Sequence, residues 1–179
     1  VGTSSLRRSA QLRQLRPDLV VEPVRGNVDT RLRKLDEGQY DAILLAAAGL
    51  KRLGFAARIV ETLAPAAMCP AVGQGALAIE ARTGFTAAAA LDHAPTRAAV
   101  TAERAMLLGL GGGCMVPIGA HGVVENGRLR LDGMVIAPDG TRSVRDAVEG
   151  AASEAERLGR ALAAKLLERG AGELLAAKI

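Results

Sequence analysis

The chain has 179 residues, of which 49% are hydrophobic but only 2% aromatic, so its core must consist mainly of aliphatic side chains. Two cysteines exclude a disulfide framework and favour the reducing cytoplasm, and no apolar run is long enough to span a membrane. Residues 1–58 hold eleven Lys or Arg against six Asp or Glu, whereas residues 59–179 hold twelve against thirteen. A basic first part predicts an anionic ligand, and the scarcity of aromatic rings argues against nucleic acid.

The first third of the chain alternates between predicted strands and helices. Strands are predicted at residues 1–4, 18–24 and 41–49. Helices are predicted at residues 6–15, from an Asn27 cap to Gly38, and in short turns around 50–52 and 56–61. This order implies right-handed crossovers and a mostly parallel α/β sheet.

Basic side chains follow each of the three predicted strands. Arg7 and Arg8 follow the first strand, Arg25 the second, and Lys51 and Arg52 the third. A single arginine is usually a solvated surface charge, but ligands of open α/β sheets bind at the carboxyl ends of strands. Three cationic strand ends beside helix starts therefore predict an anion site.

The pattern changes in the second half of the chain. Residues 70–82 predict a connection followed by a strand, and a domain boundary is expected between residues 83 and 94. A helix at 96–110 precedes three short strands and a long helix that Ser153 is expected to cap. The strands are predicted at 118–124, 127–136 and 143–148, joined by turns at 125–127 and 137–140. These elements predict a small α+β domain.

Cys114 directly follows three glycines, at positions 111–113. Because glycine lacks a side chain, the run leaves room for a group to approach the sulfur closely. A tight turn with a small buried thiol would use the same residues, and this local pattern alone leaves both readings open.

Six stretches in register resemble the porphobilinogen deaminase family. They are residues 1–8, 25–35, 40–54, 70–82, 101–120 and 137–140. The family condenses four porphobilinogen molecules into the linear tetrapyrrole hydroxymethylbilane, releasing ammonia at each step, on a dipyrromethane primer attached to a cysteine by a thioether. The resemblance implies a transferase of haem biosynthesis, a cytoplasmic monomer that needs no metal, and a second, buried cysteine, Cys69, without such a role.

The resemblance also implies roles for individual residues. Primer and added units carry about a dozen carboxylates, which arginine binds in a fixed bidentate geometry. The expected cofactor-binding residues are Cys114 (covalent), Arg7, Arg8, Ser5, Arg25, Gly73 and Gln74, with Gly75 beside them. The expected substrate-binding residues are Arg31, Arg52, Ser4 and Thr3.

The resemblance divides the chain into three parts. Residues 1–70 correspond to a partial, periplasmic-binding-protein-like α/β domain, and residues 71–82 to a returning segment of the preceding domain, here without its sheet partners. Residues 83–179 correspond to an α+β domain with a three-stranded antiparallel sheet and helices on one face. The family's catalytic aspartate is expected before residue 1, so residues 1–179 alone should be inactive. A non-catalytic anion-binding module and a nucleic-acid binder are the alternatives.

Overall fold

The computed structural model describes residues 1–112 and 117–176. In its first part, helix α1 spans Leu6–Leu15, α2 spans Val28–Asp36 and α3 spans Ala47–Arg52. The predicted bounds of α1 and the Asn27 cap of α2 are confirmed, since the Asn27 side chain accepts a hydrogen bond of 3.0 Å from the Thr30 amide. Short 3₁₀ helices follow at Ala56–Arg58 and Thr86–Leu91.

The three predicted strands of the first part meet only as isolated parallel bridges. Gly2 bridges to Glu22 on one side and to Ile43 on the other. The prediction of a strand through residue 49 is wrong, because the backbone turns into α3 at Ala47. An unbroken apolar run carries no period, and its alanines favour a helix.

Residues 70–82 form turns and irregular chain, so the strand predicted within them is wrong. Leu77 is 88% exposed, and apart from a hydrogen bond of 3.0 Å from the Ala120 amide to the Pro70 carbonyl the segment has no strand pairing in the described ranges. Extended chain becomes a strand only when another backbone satisfies its N–H and C=O groups.

The second part contains the predicted three-stranded antiparallel sheet, with the order β1-β2-β3. Its strands are β1 (Ile118–Glu125), β2 (Arg128–Ile136) and β3 (Ser143–Ala151). The predicted turn between β1 and β2 is confirmed, and Asn126 and Gly127 both have positive φ, 48° and 74°. Two such residues are characteristic of a tight type I′ hairpin.

Two long helices, α4 (Ala94–Gly109) and α5 (Ala155–Glu168), pack against each other and against the sheet, and α6 (Ala171–Ala176) follows. Met106, Leu131 and Leu162 lie at the centre of this aliphatic core. The predicted Ser153 cap is wrong: a 3₁₀ turn occupies Ala152–Glu154, and α5 begins without a side-chain cap. Among the described residues, no helix is long and apolar enough to cross a bilayer.

Helix α1 packs on the second part of the chain. A small buried cluster contains Ala10 from α1, Cys69, and Met134 and Ile136 from β2. The Arg13 guanidinium donates a hydrogen bond of 3.1 Å to the Pro138 carbonyl in the β2–β3 turn. The helix that carries Arg7 and Arg8 is therefore held against the C-terminal sheet.

Gly140, in the β2–β3 turn, permits this contact. Its φ is +80°, and a Cβ there would lie 2.6 Å from the Ala10 carbonyl oxygen. We expect Gly140→Ala to lower the free energy of unfolding by about 3 kcal/mol, from both backbone strain and collision. Gly127→Ala is the matched control, since its φ is +74° with no atom within 4 Å of the added carbon, and it should cost about 1 kcal/mol. Equal losses of unfolding free energy in the two variants, measured by urea denaturation, would show that the collision with Ala10 contributes nothing.

Candidate cofactor and substrate site

The predicted site residues of α1 follow the central extended segment of the first part. The Gly2 amide donates to the Ala42 carbonyl at 2.8 Å, and the Thr3 amide to the Glu22 carbonyl at 2.9 Å. The chain then enters α1, whose first turn contains Arg7 and Arg8. This connection places both arginines at the carboxyl end of the bridged segments.

Arg7 is a buried cation, with only 8% of its surface exposed. Its Nη1 donates to the Cys69 carbonyl and its Nη2 to Gln74 Oε1 at 2.9 Å. Burial, and secondarily the charge of Arg8, lower the pKa of Arg7 to about 10. It therefore remains protonated at neutral pH, and among the described residues its hydrogen-bond acceptors are neutral.

Arg8 and Arg31 extend this positive region. Arg8 Nη1 donates to the Leu44 carbonyl at 3.2 Å, and Arg31 Nε to the Gly26 carbonyl at 2.8 Å. Burial lowers the pKa of Arg8, and the charge of Arg31 lowers it further. We call Arg7, Arg8 and Arg31 the arginine cluster. Like charges held this close favour an anionic ligand between them.

The arginine cluster differs from nine of the nineteen arginines of the protein in having no carboxylate partner. Nine arginines in the described ranges form ion pairs with Asp or Glu: Arg16, Arg33, Arg58, Arg97, Arg130, Arg142, Arg157, Arg160 and Arg169. Within those same ranges the cluster has no carboxylate partner. Its charges are thus free to bind acidic groups of a ligand.

A cleft of about 560 Å³ opens beside Arg7 and Arg8, whereas Arg31 is not part of its lining. Arg7, Arg8 and Gln74 lie on its wall, together with aliphatic side chains such as Ile43 and Leu50. Asp41, Arg58 and Glu61 also contribute to the lining. A volume of this size accommodates a small organic molecule, with cations for its acidic groups and an apolar surface for its rings.

The three predicted hydroxyl residues lie at the start of α1, where they support the local backbone. Ser4 Oγ donates to the Val24 carbonyl at 2.7 Å, and Thr3 Oγ1 accepts from the Ser5 amide at 3.3 Å. Ser5 Oγ caps α1 by accepting from the Arg8 amide at 3.4 Å. Their direct contact with a ligand stays a prediction.

Arg25 and Arg52 lie farther out, exposed to solvent. The Arg25 carbonyl accepts a hydrogen bond of 3.3 Å from Lys34 Nζ, and Arg52 ends α3. The structure does not bring either side chain into the lining of the cleft. Their contact with a ligand stays a prediction, and it requires a bound molecule that extends beyond the cleft.

The predicted residues Gly73 and Gln74 contact two helices, Gln74 binding α1 and Gly73 binding α4. Gln74 Oε1 accepts from Arg7 and, at 3.0 Å, from the Ala71 amide. The Gly73 amide donates to Glu103 Oε2 at 2.6 Å, and Gly73 has a φ of +71°. Gly75, predicted beside them, has no atom within 4 Å of an added Cβ. The segment is held by contacts in both halves of the chain.

The two cysteines differ in their surroundings. Cys69 is buried, which raises the pKa of its thiol to about 11 and makes its thiolate scarce at neutral pH. Cys114 and the preceding Gly113 lie outside the described residues. The chain that leads to them is described up to Gly112: α4 ends at Gly109, and Gly111 and Gly112 have φ of +89° and +61°. This backbone conformation suits glycine at both positions.

Two buried polar residues of the site were missed as functional residues. Glu103, in the middle of α4, accepts hydrogen bonds from the Gly73 and Gly122 amides at 2.6 and 2.8 Å. Gln11 makes hydrogen bonds to Cys69 from the inner face of α1. The available signal was a polar residue at a helical position facing the core, where an unpaired side chain would be costly. No three His, Cys, Asp or Glu side chains in residues 1–112 and 117–176 are arranged to hold a metal ion.

Comparison with known proteins gives concordant matches in both halves. Residues 1–90 match the domain family described as "Porphobilinogen deaminase, dipyromethane cofactor binding domain", and residues 97–168 match "Porphobilinogen deaminase, C-terminal domain". The porphobilinogen deaminases of Thiobacillus denitrificans and Desulforudis audaxviator are each 58% identical over 98% of this chain and 58% of their own length. That of Thermus thermophilus is 55% identical over 98% of this chain and 60% of its own length. The chain therefore spans about three fifths of these relatives, and it belongs to the porphobilinogen deaminase family.

Proposed function

We propose that the full-length protein containing this chain is a porphobilinogen deaminase. It joins four porphobilinogen molecules head to tail into hydroxymethylbilane and releases one ammonia at each condensation. The observation that carries the proposal is the arginine cluster, a set of cations without carboxylate partners among the described residues, two of which, Arg7 and Arg8, line the cleft. Porphobilinogen and its oligomers carry an acetate and a propionate on every ring, so their charge complements the cluster.

The described residues fit a dipyrromethane cofactor. A guanidinium has five N–H donors, and the protein occupies two donor positions of Arg7 and one of Arg8. The remaining donors can hold the carboxylates of two linked pyrrole rings, while the aliphatic wall contacts the ring faces. When bound, the cofactor supplies the growing end to which pyrrole units are added.

Individual residues have separate tasks in this proposal. Arg7, Arg8 and Arg25 hold the cofactor carboxylates, with Ser5, Gly73 and Gln74 close to them, and Cys114 provides the thioether. Arg31 and Arg52 hold carboxylates of the incoming and elongating substrate, with Thr3 and Ser4 nearby. A thiolate is the suitable attachment group because it is strongly nucleophilic toward a methylene carbon that loses ammonia.

The domain arrangement is part of the proposal. Residues 1–70 belong to a periplasmic-binding-protein-like α/β domain, residues 71–82 return to a preceding domain, and residues 83–179 form the C-terminal domain. The parallel bridges at Gly2 and the exposed Leu77 support this division. The preceding domain would provide the catalytic aspartate, and the complete protein would act as a cytoplasmic monomer.

The proposal is tested by incubating the full-length protein with porphobilinogen. We expect porphobilinogen to be consumed, one ammonia to be released per molecule, and a linear tetrapyrrole to form, as measured by mass spectrometry. A folded protein that binds porphobilinogen without consuming it would instead be an anion-binding module. In that case Cys114→Ser should leave binding unchanged.

Residues 1–179 expressed alone should show no turnover. The proposed aspartate that protonates and stabilises the reacting pyrroles would be missing, and general acid–base catalysis of this kind contributes about a hundredfold to ten-thousandfold in rate. The assay compares ammonia release by residues 1–179 and by the full-length protein at equal concentration. Full activity of residues 1–179 would place the complete catalytic machinery within them.

A further inference from the structure

The segment at residues 69–74 receives both hydrogen bonds of the Arg7 guanidinium. Nη1 donates to the Cys69 carbonyl at the start of the segment, and Nη2 donates to Gln74 Oε1 at its end, at 2.9 Å. No other acceptor for the Arg7 side chain exists among the described residues. The direction of the guanidinium in the cleft therefore depends on the position of this segment.

Gln11, one helical turn after Arg7, holds the start of that segment. Its Oε1 accepts from the Cys69 amide at 2.7 Å, and its Nε2 donates to the Cys69 carbonyl at 3.1 Å. The same Nε2 donates to the Arg7 carbonyl at 3.2 Å. Gln11 is only 2% exposed, so water does not substitute for these contacts. One side chain thus joins the backbone of Arg7 to the group that receives its guanidinium.

We propose that Gln11 is a positioning residue that orients Arg7 toward the carboxylates of the cofactor. This inference rests on the proposed function, because it concerns the same site. An amide is suited to the task since it both donates and accepts at Cys69, as a neighbouring strand would. Without it the Cys69 peptide can rotate, and the Arg7 guanidinium meets a ligand carboxylate without a fixed orientation.

Gln14 provides a matched control on the same helix. Its Nε2 donates a hydrogen bond of 2.9 Å to Ser143 Oγ, but this contact is exposed and does not involve the segment at 69–74. Gln11→Met and Gln14→Met remove the same amide and keep a similar volume. Gln14→Met removes an exposed amide, whereas Gln11→Met removes a buried one whose Oε1 also accepts a hydrogen bond of 3.5 Å from Arg145 Nη2. Only Gln11→Met removes hydrogen bonds to the backbone group that accepts from Arg7.

The experiment uses full-length apo-protein produced in cells that do not make porphobilinogen. The rate at which a covalent dipyrrole forms is followed by intact mass across a range of porphobilinogen concentrations. We expect Gln11→Met to raise the half-saturating porphobilinogen concentration about tenfold, because it weakens a hydrogen bond to a charged group. Its maximal rate should stay within about twofold of that of the unsubstituted protein. Gln14→Met should match the unsubstituted protein within about twofold on both measures.

A merely structural role would reduce the maximal rate in proportion to the loss of folded protein and leave the half-saturating concentration unchanged. That result, or equal behaviour of the two Met variants, would overturn the inference. If Gln11→Met fails to fold, Gln11→Glu is tested by the same criteria, because its carboxylate keeps the acceptor for the Cys69 amide but lacks the donor. An unsubstituted protein that forms no dipyrrole would overturn the proposed function itself, and the inference with it.

Discussion

An Arg7→Met variant of the full-length protein should form the covalent dipyrrole about a hundredfold more slowly than the unsubstituted protein at low porphobilinogen concentration. Arg7 is the most buried member of the arginine cluster. A carboxylate that approaches it leaves water, so the loss of its partner is more costly than at an exposed site. The measurement is the initial rate of mass gain by the apo-protein.

The same variant should unfold at the same temperature as the unsubstituted apo-protein, or higher. Burial of the Arg7 cation lowers its pKa to about 10 and therefore opposes folding. Removing it orphans neither acceptor, because the Cys69 carbonyl keeps Gln11 Nε2 and Gln74 Oε1 keeps the Ala71 amide. A side chain that limits stability but is needed for binding is expected at a functional site.

The lowered pKa of Arg7 also determines how this residue's contribution to the stability of the apo-protein depends on pH. The folded-state pKa of Arg7, about 10, lies below its ordinary value, so the unfolded state binds the proton more tightly. The destabilising contribution of Arg7 is therefore complete below about pH 10 and declines only as the pH rises above this folded-state pKa. Arg7→Met should change the free energy of unfolding equally throughout the neutral range.

Arg33→Met is the control for Arg7→Met. Arg33 lies on α2, exposed, and pairs with Glu37 at 2.7 Å, so its loss should change stability by less than about 1 kcal/mol and leave dipyrrole formation unchanged. Equal rates for the two variants would contradict a binding role for Arg7. A large fall in melting temperature for Arg7→Met alone would show that the guanidinium mainly supports the fold.

Replacing Cys114 by Ser should reduce turnover of porphobilinogen by at least about a thousandfold. A serine hydroxyl is far less acidic than a thiol, so it provides almost no anion to form the bond to the cofactor at neutral pH. Without a covalent primer, the proposed reaction would have no growing end to extend. Ammonia release measures the effect, and a Cys114→Ser protein with normal turnover would contradict the assignment.

Cys69→Ala is the matched control for Cys114→Ser. The Cys69 sulfur is buried, its pKa is raised to about 11, and it packs closely against Gly119. Its removal should cost about 1 kcal/mol of stability from a small cavity and leave turnover within about twofold. Loss of turnover in both variants would show that a thiol at Cys69 also takes part in the reaction.

The C-terminal half was largely predictable because its signals are local. Alternating side chains and the Asn126–Gly127 turn specify the β1–β2 hairpin, and a 3.6-residue period identifies α4 and α5. The predicted Ser153 cap failed because a 3₁₀ turn intervenes before α5. Caps depend on one or two backbone angles, which periodicity does not determine.

The first half was less predictable because its extended segments depend on distant partners. The run at residues 41–49 contains both a bridged segment and the start of α3, and residues 70–82 have no strand pairing among the described residues beyond one hydrogen bond between Pro70 and Ala120. The position of Arg7 and Arg8 after the first segment was predictable from topology. The contacts of Gln11 with Cys69 were not, since 58 residues separate them and only the folded chain brings them together.

Attachment of the cofactor to Cys114 is tested by the intact mass of the full-length protein, as produced in cells that make porphobilinogen, beside that of its Cys114→Ser variant. We expect the unsubstituted protein to exceed its sequence mass by two linked pyrrole units, and the variant to show no such excess. A folded protein without this excess, or an excess that persists in Cys114→Ser, would contradict the claim that Cys114 carries a dipyrromethane cofactor.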